Sequence, residues 1–249
     1  MVIIATLFVV SCRKSEISNS SGKITKIIAH LADSDDSTRI YQFEYDDQDR
    51  LIRISDTRAG MYGFTTTVGV IYSAEGRLLK MVGDGLVTDT FVYDNLGRVS
   101  KQFFANQSRP SDIITYSYAY DMYNRLIADT THLIGDDNST YFQYEYDGNG
   151  DISRTQYYWI DKTRIIYTTH FDATFDTTNN PYSKLGLPFY LYQQDATFLS
   201  KHAISTRSLG LGRTVQYQYE YFGGGLVKRV IMTDFPDIGM TTDVDFYYN

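Results

Sequence analysis

The stretch Tyr45-Asp46-Asp47-Gln48-Asp49-Arg50-Leu51 decides the fold, because versions of it return along the chain. The common pattern is a tyrosine, a polar turn, a glycine or a short polar residue, a basic residue and an aliphatic residue. Further copies begin at Tyr72, Tyr93, Tyr120, Tyr146 and, in degenerate form, Tyr221. The first five tyrosines are about 21 to 27 residues apart, a period typical of tandem structural units.

Each copy predicts a β-hairpin. Residues before the tyrosine alternate strictly, as in Tyr116-Ser117-Tyr118-Ala119-Tyr120 and Phe142-Gln143-Tyr144-Glu145-Tyr146, and one aromatic face with a period of two indicates a half-buried strand. The Asp-x-x-Gly or Asp-x-x-Asn that follows suits a tight turn, because it supplies an Asx-type start and a residue tolerant of positive φ. We expect Tyr118 and Tyr144 to be buried. Whether Leu51 or Ile52 shares the tyrosine face depends on the loop length and stays open.

Fragments of the pattern extend the series. Gly22-Lys23-Ile24 has the form of the second half of a copy that lost its first strand, and Tyr248-Asn249 has the form of a first half. Phe171-Asp172 falls where another copy is due. The repeat therefore predicts one β domain over residues 23–249.

The bulk composition agrees with a folded β protein. The 249 residues are 43% hydrophobic and 15% aromatic, which is too apolar for disorder and favours pleated, half-buried strands. The net charge of -7 repels phosphate backbones, so we expect no nucleic-acid partner.

The copies resemble the tyrosine-aspartate (YD) repeat of Rhs-like proteins, whose pattern is Tyr-Asp-x-x-Gly-Arg-Leu. In overall plan the chain is also similar to Bacteroides-type lipoproteins of unknown function that have a porin-like fold, including a late insertion at Phe175-Asp176-Thr177-Thr178-Asn179-Asn180-Pro181-Tyr182. The resemblance implies a roughly barrel-shaped antiparallel meander and does not indicate any particular activity. We predict an all-β fold in which tandem hairpins form a soluble barrel-like or strongly curled sheet.

The segment 179–205 breaks the repeat with Pro181, Pro188 and the apolar run Leu185-Gly186-Leu187-Pro188-Phe189-Tyr190-Leu191. Two interpretations remain open. Either the segment folds against or into the sheet and plugs one end with apolar side chains, or it forms the wall of a ligand pocket. The candidate ligand-binding residues are Trp159, Tyr182, Phe189 and Tyr190.

The N-terminus resembles a lipoprotein signal. The apolar run from Val2 to Val10 is about half the roughly 20 residues that span a bilayer, and its ending Val9-Val10-Ser11-Cys12 resembles a bacterial lipobox. We expect residues 1–11 to be a signal peptide, Cys12 the lipidation site and residues 12–22 a lipidated tether. The expected location is the cell envelope, at the outer membrane and facing the periplasm or the surface.

The sequence pattern of the strands is not typical of a lipid-facing barrel. A membrane barrel needs an apolar outer band about 25 Å tall, whereas a cation recurs two residues after the anchor leucine or its equivalent in five copies. These cations are Arg53, Lys80, Lys101, Arg154 and Lys228. We expect a monomer that contacts the membrane only through its lipid anchor.

No motif predicts catalysis or a cofactor. The four histidines show no metal-ligand spacing, and Asp147-Gly148-Asn149-Gly150-Asp151 fits a hairpin turn better than a calcium loop. Asp172 and Asp176 could serve a glycoside hydrolase, but acidic proteins commonly offer such pairs. We therefore expect no enzyme, no catalytic residues, no metal and no cofactor. Two functions remain: a non-catalytic cell-envelope scaffold, or a surface protein that binds a glycan or peptide through its aromatic faces.

Overall fold

The computed structural model describes residues 22–30, 38–58, 64–84, 87–106, 109–133, 135, 137–193, 195–210, 213–234 and 240–249. Sixteen strands close into a single barrel, and a helical segment follows β12. The strands are β1 Ile24–His30, β2 Thr38–Tyr45, β3 Leu51–Arg58, β4 Phe64–Tyr72, β5 Leu78–Gly83, β6 Val87–Tyr93, β7 Val99–Asn106, β8 Arg109–Tyr120, β9 Leu126–Leu133, β10 Asn138–Tyr146, β11 Ile152–Asp161, β12 Arg164–Asn179, β13 His202–Gly210, β14 Arg213–Tyr221, β15 Val227–Asp234 and β16 Met240–Tyr248.

Each strand pairs antiparallel with its neighbours in sequence, and β1 pairs with β16. The prediction of an all-β meander is confirmed, and of its two forms the closed barrel is the one observed. The repeat turns all lie at one end, which we call the turn end; the opposite end is called the far end. No helix in the described residues is long and apolar enough to cross a membrane.

The repeat turns share one hydrogen-bonding scheme. Asp46 Oδ1 accepts the backbone N–H groups of Gln48 and Arg50, each at 2.9 Å, and Asp46 Oδ2 accepts Arg50 Nε at 2.7 Å. Asp49 takes the positive φ of 64° that closes the turn. The same scheme is repeated by Asp94 and Asp121. The predicted Asx-type turn with a positive φ is therefore confirmed.

A bulge after each turn sets the faces of the strands. The register of β2 and β3 shifts so that Tyr45 lies opposite Leu51. Leu51 is buried and Ile52 is half-buried, so Leu51 is the residue that joins the core. Tyr118 and Tyr144 are 7% and 6% exposed, as expected from the aromatic alternation.

The tyrosine of each copy contacts the copy before it. The Tyr72 hydroxyl donates to the Leu51 carbonyl at 3.0 Å, and the Arg50 guanidinium lies 4.8 Å from the centre of the Tyr72 ring. Tyr120, Tyr93 and Tyr146 make the same pair of contacts with their preceding copies. The hydroxyl and the ring thus both contribute, which explains a tyrosine at this position rather than a phenylalanine.

The fragments at the two ends of the described chain form one more turn. The Asn249 N–H donates to the Lys23 carbonyl at 3.1 Å, which matches the bond from Asp46 N to Arg50 O in an intact copy. The Tyr45 hydroxyl donates to the Ile24 carbonyl at 2.8 Å. Residues 22–24 therefore complete a copy whose first strand is β16. The copy expected at Phe171-Asp172 is wrong, because these residues lie within the continuous strand β12.

The helical segment occupies the barrel interior. It consists of a 3-10 helix Pro181–Leu185, the helix α1 Gly186–Gln193 and a 3-10 helix Ala196–Leu199, and we call it the plug. Phe189, Tyr190 and Leu191 are each 2% exposed and belong to the same core as the inward residues of the wall. Phe189, for example, meets Tyr41 and Phe43 edge-on. The segment therefore fills part of the barrel interior with apolar side chains. Cavities remain beside it.

Candidate functional site

The C-terminal end of the plug is fixed by one buried carboxylate. Asp151 is 0% exposed, and its Oδ1 accepts the backbone N–H groups of Lys201 at 2.7 Å and His202 at 2.9 Å. Its Oδ2 lies 2.6 Å from His202 Nδ1. Asp151 occupies the position that holds arginine in the preceding copies. The fifth turn has therefore exchanged its arginine for an anchor of the plug.

A second buried residue joins the two ends of the plug. Asn180 Oδ1 accepts the Tyr182 N–H at 3.0 Å, and its Nδ2 donates to the carbonyls of Thr197 at 3.1 Å and Ser200 at 2.9 Å. Asn180 is 4% exposed. Because all these bonds come from one short side chain, the start and the end of the plug are held at a fixed separation.

A cavity of about 510 Å³ lies between the plug and the wall formed by β1–β3 and β13–β16, and we call it the plug cavity. Plug rings stack along one side: the Tyr182 and Phe198 centroids are 4.5 Å apart, and those of Phe189 and Phe198 are 5.3 Å apart. The opposite wall is mostly aliphatic and aromatic. It includes Ile27, Tyr41, Tyr217, Val230, Met232 and Val244.

Three arginines and one carboxylate also line the plug cavity. Arg39 Nε donates to Asp56 Oδ1 at 2.9 Å, and this hydrogen bond raises the pKa of Arg39. Arg207 Nη1 donates to Asp195 Oδ2 at 3.0 Å. Burial opposes ionisation of Asp195, but the Arg207 charge holds the pKa of this carboxyl below its usual value. The third, Arg58, is exposed at the far end of β3, above the Phe64 ring.

The structure brings together two of the four candidate ligand-binding residues. Tyr182 and Phe189 line the plug cavity. Tyr190 faces another part of the barrel, where its ring lies 6.3 Å from that of Tyr118. Trp159 is 44% exposed on β11 and does not line the plug cavity.

Sequence reasoning missed the arginines of the cavity. Arg39 precedes Tyr41 by two residues, so strand alternation places it on the tyrosine face. A cation on an otherwise apolar inward face was the available signal. A second signal was Asp151, which stands where the repeat predicts an arginine.

The remaining acidic candidates have structural partners. Asp172 lies 2.6 Å from Arg154 Nε, and Asp176 Oδ1 accepts the Thr178 N–H at 2.7 Å. Asp147 Oδ1 accepts two backbone N–H groups of its own hairpin turn. Among the described residues, no group of three or more His, Cys, Asp or Glu side chains could hold a metal ion. Cys12 and the proposed signal peptide lie outside the described residues.

The same fold occurs in solved structures. A porin-like protein from Bacteroides uniformis matches with a TM-score of 0.63 over 91% of this chain and 96% of its own, at 12% identity. One from Bacteroides vulgatus matches with a TM-score of 0.57 over 91% and 98%, also at 12% identity. No protein-family model and no curated protein matches the sequence. At this identity the likeness concerns the fold alone, and the chain shares its fold with these porin-like proteins.

Proposed function

We propose that the protein is a non-catalytic, water-soluble barrel of the bacterial cell envelope that binds a small amphipathic anion in its plug cavity. The observation that carries the proposal is the cavity itself, about 510 Å³ in volume and walled by apolar and aromatic side chains with three arginines among them. Ligand pockets of proteins commonly measure about 300–1,000 Å³ and combine an apolar wall with a few polar groups.

The lining indicates how such a ligand would lie. Its apolar part would pack between the plug rings Tyr182 and Phe198 and the aliphatic wall, where contact with water is lost. Its acidic group would remain near Arg58, the exposed arginine at the far end, because a guanidinium forms strong charge-assisted bonds to carboxylate or phosphate. Arg39 and Arg207 add positive potential, although each already has a carboxylate partner.

The outer face supports solubility in water. Cross-strand ion pairs lie on it, including Arg53 with Glu44 at 3.2 Å and Arg229 with Asp245 at 2.6 Å. A lipid-facing band would have to bury these charges, at a cost of several kcal/mol for an arginine near the bilayer midplane. The envelope location rests on the lipobox-like Cys12, whose tether would join the barrel at Gly22 at the turn end.

Fluorescence titration with 11-(dansylamino)undecanoic acid tests the binding function on the full-length protein. We expect saturable binding that Ala29→Leu weakens about tenfold, because Ala29 lines the cavity and the larger side chain fills it. Ala119→Leu, on the outer face, is the matched control. Arg58→Gln should weaken binding, whereas Arg53→Gln, on the same strand but facing outward, should not. Equal effects of the two members of each pair would contradict the proposal.

The alternative role, surface binding of a glycan, is favoured by a groove at the turn end. This groove has a volume of about 730 Å³ and is lined by Tyr123, Asn124, Asn149 and the rings of Tyr120 and Tyr146. Tyr123 is 70% exposed, and aromatic faces and amides suit sugar rings. Binding on a glycan array that Tyr123→Ala abolishes would support this alternative.

A further inference from the structure

A second cavity, of about 370 Å³, lies against another face of the plug, and we call it the acidic cavity. Its lining includes the carboxylates Asp84 and Asp89 and the rings of Phe104, Tyr116 and Tyr192. None of its described lining residues is a lysine, an arginine or a histidine. Its charge is therefore opposite to that of the plug cavity.

Asp89 is the buried carboxylate of this cavity, with 8% of its surface exposed. Its Oδ1 accepts a hydrogen bond from Gln102 Nε2 at 2.9 Å. Tyr118 donates to Gln102 Oε1 at 2.5 Å, and this bond turns the amide NH₂ toward Asp89. Among the described residues the donor to Asp89 is this neutral amide, and Asp89 belongs to the lining of the acidic cavity. A buried acid with a neutral hydrogen-bond donor thus borders a cavity that another partner can enter.

Of the three other described buried acids, Asp129 also has a neutral partner, the Tyr144 hydroxyl, but it does not line the acidic cavity, and the remaining two are better satisfied. Asp56 is paired with Arg39, and Asp151 receives two backbone N–H groups and contacts His202. In the described part of the chain the partner of Asp89 is a neutral amide. Burying an ionised carboxylate without a cation is unfavourable, so a site of this kind gains most from a ligand that supplies the positive charge.

We propose that the acidic cavity binds a small organic cation, a primary or quaternary ammonium, which contacts Asp89 and is enclosed by Phe104, Tyr116 and Tyr192. Aromatic faces attract an ammonium group within about 6 Å, and a desolvated site strengthens that attraction. The volume accommodates a molecule of the size of choline. This site is independent of the anion proposed for the plug cavity.

Cation binding at this site is expected to depend on pH. The groups that face Asp89 are Asp84 from the end of β5, Gln102 from β7, Tyr116 from β8 and Tyr192 from α1. Burial raises the pKa of both tyrosines, so they stay neutral. Burial also raises the pKa of Asp89 to about 6, against the Gln102 hydrogen bond. Affinity for a cation should therefore increase as the pH rises through about 6.

Isothermal titration calorimetry of the full-length protein with choline chloride at pH 7.5 tests the proposal. The control ligand is 3,3-dimethyl-1-butanol, which has nearly the same shape as choline and no charge. We expect choline to bind and the alcohol to bind at least about tenfold more weakly. The affinity for choline should also fall at pH 5. Equal binding of the two ligands, or no saturable heat with choline, would overturn the proposal whatever the variants do.

Two isosteric variants locate the site. Asp89→Asn should reduce the affinity for choline at least about tenfold, because the carboxylate that pairs with the ammonium is lost. Asp129→Asn removes the other buried acid with a pKa of about 6, which does not line the acidic cavity, and should leave the affinity within about twofold. Similar losses in both variants would place binding elsewhere. Thermal unfolding of each variant verifies that it is folded.

Discussion

Replacing Asp151 with alanine should destabilise the barrel far more than replacing the arginine that occupies the equivalent position in another copy of the repeat. The substitution removes an acceptor that binds the Lys201 and His202 N–H groups and contacts the His202 ring. A hydrogen bond to a charged group contributes about 1.5–3 kcal/mol, and these bonds share one acceptor and are not additive. We expect a loss of about 3 to 5 kcal/mol in the free energy of unfolding.

Asp151→Arg restores the repeat motif in sequence and provides a sharper test. It should destabilise as much as alanine, because a guanidinium accepts no hydrogen bonds and would face two backbone N–H groups. The matched control is Arg125→Ala in the preceding copy, where a half-exposed Asp121 ion pair and a stack 4.5 Å from the Tyr146 centroid are lost. That change should cost about 1 kcal/mol.

Urea denaturation at pH 7, followed by far-UV circular dichroism, measures all three variants. A loss in Asp151→Ala no larger than that in Arg125→Ala would refute the anchoring role. Stabilisation by Asp151→Arg would refute it more strongly, because the repeat motif rather than the plug would then determine this position. A change in the slope of the transition would show that the variant exposes a different amount of surface on unfolding or no longer unfolds in two states, as expected if the plug detaches before the barrel unfolds.

Three further predictions follow from the core and the N-terminus. Tyr118→Ala and Tyr144→Ala should each cost about 3 kcal/mol or more in chemical denaturation, and near-neutral values would contradict their core role. Burial raises the pKa of Asp89 and of Asp129 to about 6, so each of these two acids binds more protons in the folded than in the unfolded state between about pH 4 and 6, and the stability that they contribute should fall as pH rises through this window. Replacing either acid with asparagine should reduce the difference in stability between pH 4.5 and 7.5 by up to about 2 kcal/mol, and an unchanged difference would contradict the assignment. Globomycin should cause an unprocessed precursor to accumulate, and Cys12→Ala should release the protein from the membrane fraction; processing and membrane retention unaffected by either change would contradict lipidation.

Local patterns in the sequence were sufficient to predict the strands and the turns. The alternation around Tyr118 and Tyr144 predicts their burial, and the Asp46 turn is predicted by residues within five positions of each other. Both features are decided by neighbours in sequence, so no knowledge of the tertiary structure was needed. The half copy at Gly22-Lys23-Ile24 was also recognisable, because the second half of the motif is specific enough to be identified without the first half.

Features that the local alternation and spacing leave undetermined were not predictable from the sequence. The face of Leu51 is decided by a one-residue bulge, and a shift of one residue exchanges the two faces of a strand. The positions of Trp159 and Tyr190 relative to Tyr182 and Phe189 depend on how the plug enters the barrel. Phe171-Asp172 matched the spacing of the repeat without its turn residues, and spacing alone did not produce a turn.

The turn divided between Lys23 and Asn249 also has a consequence for the order of folding. All other neighbouring strands are joined by short connections or by the plug, whereas β1 meets its second partner only when β16 has formed. Closing so long a loop is entropically unfavourable and is compensated only once the whole ring is in register. Until that moment β1 and β16 are open sheet edges able to pair with another molecule. A slow, concentration-sensitive last step in refolding is the expected kinetic signature of this seam.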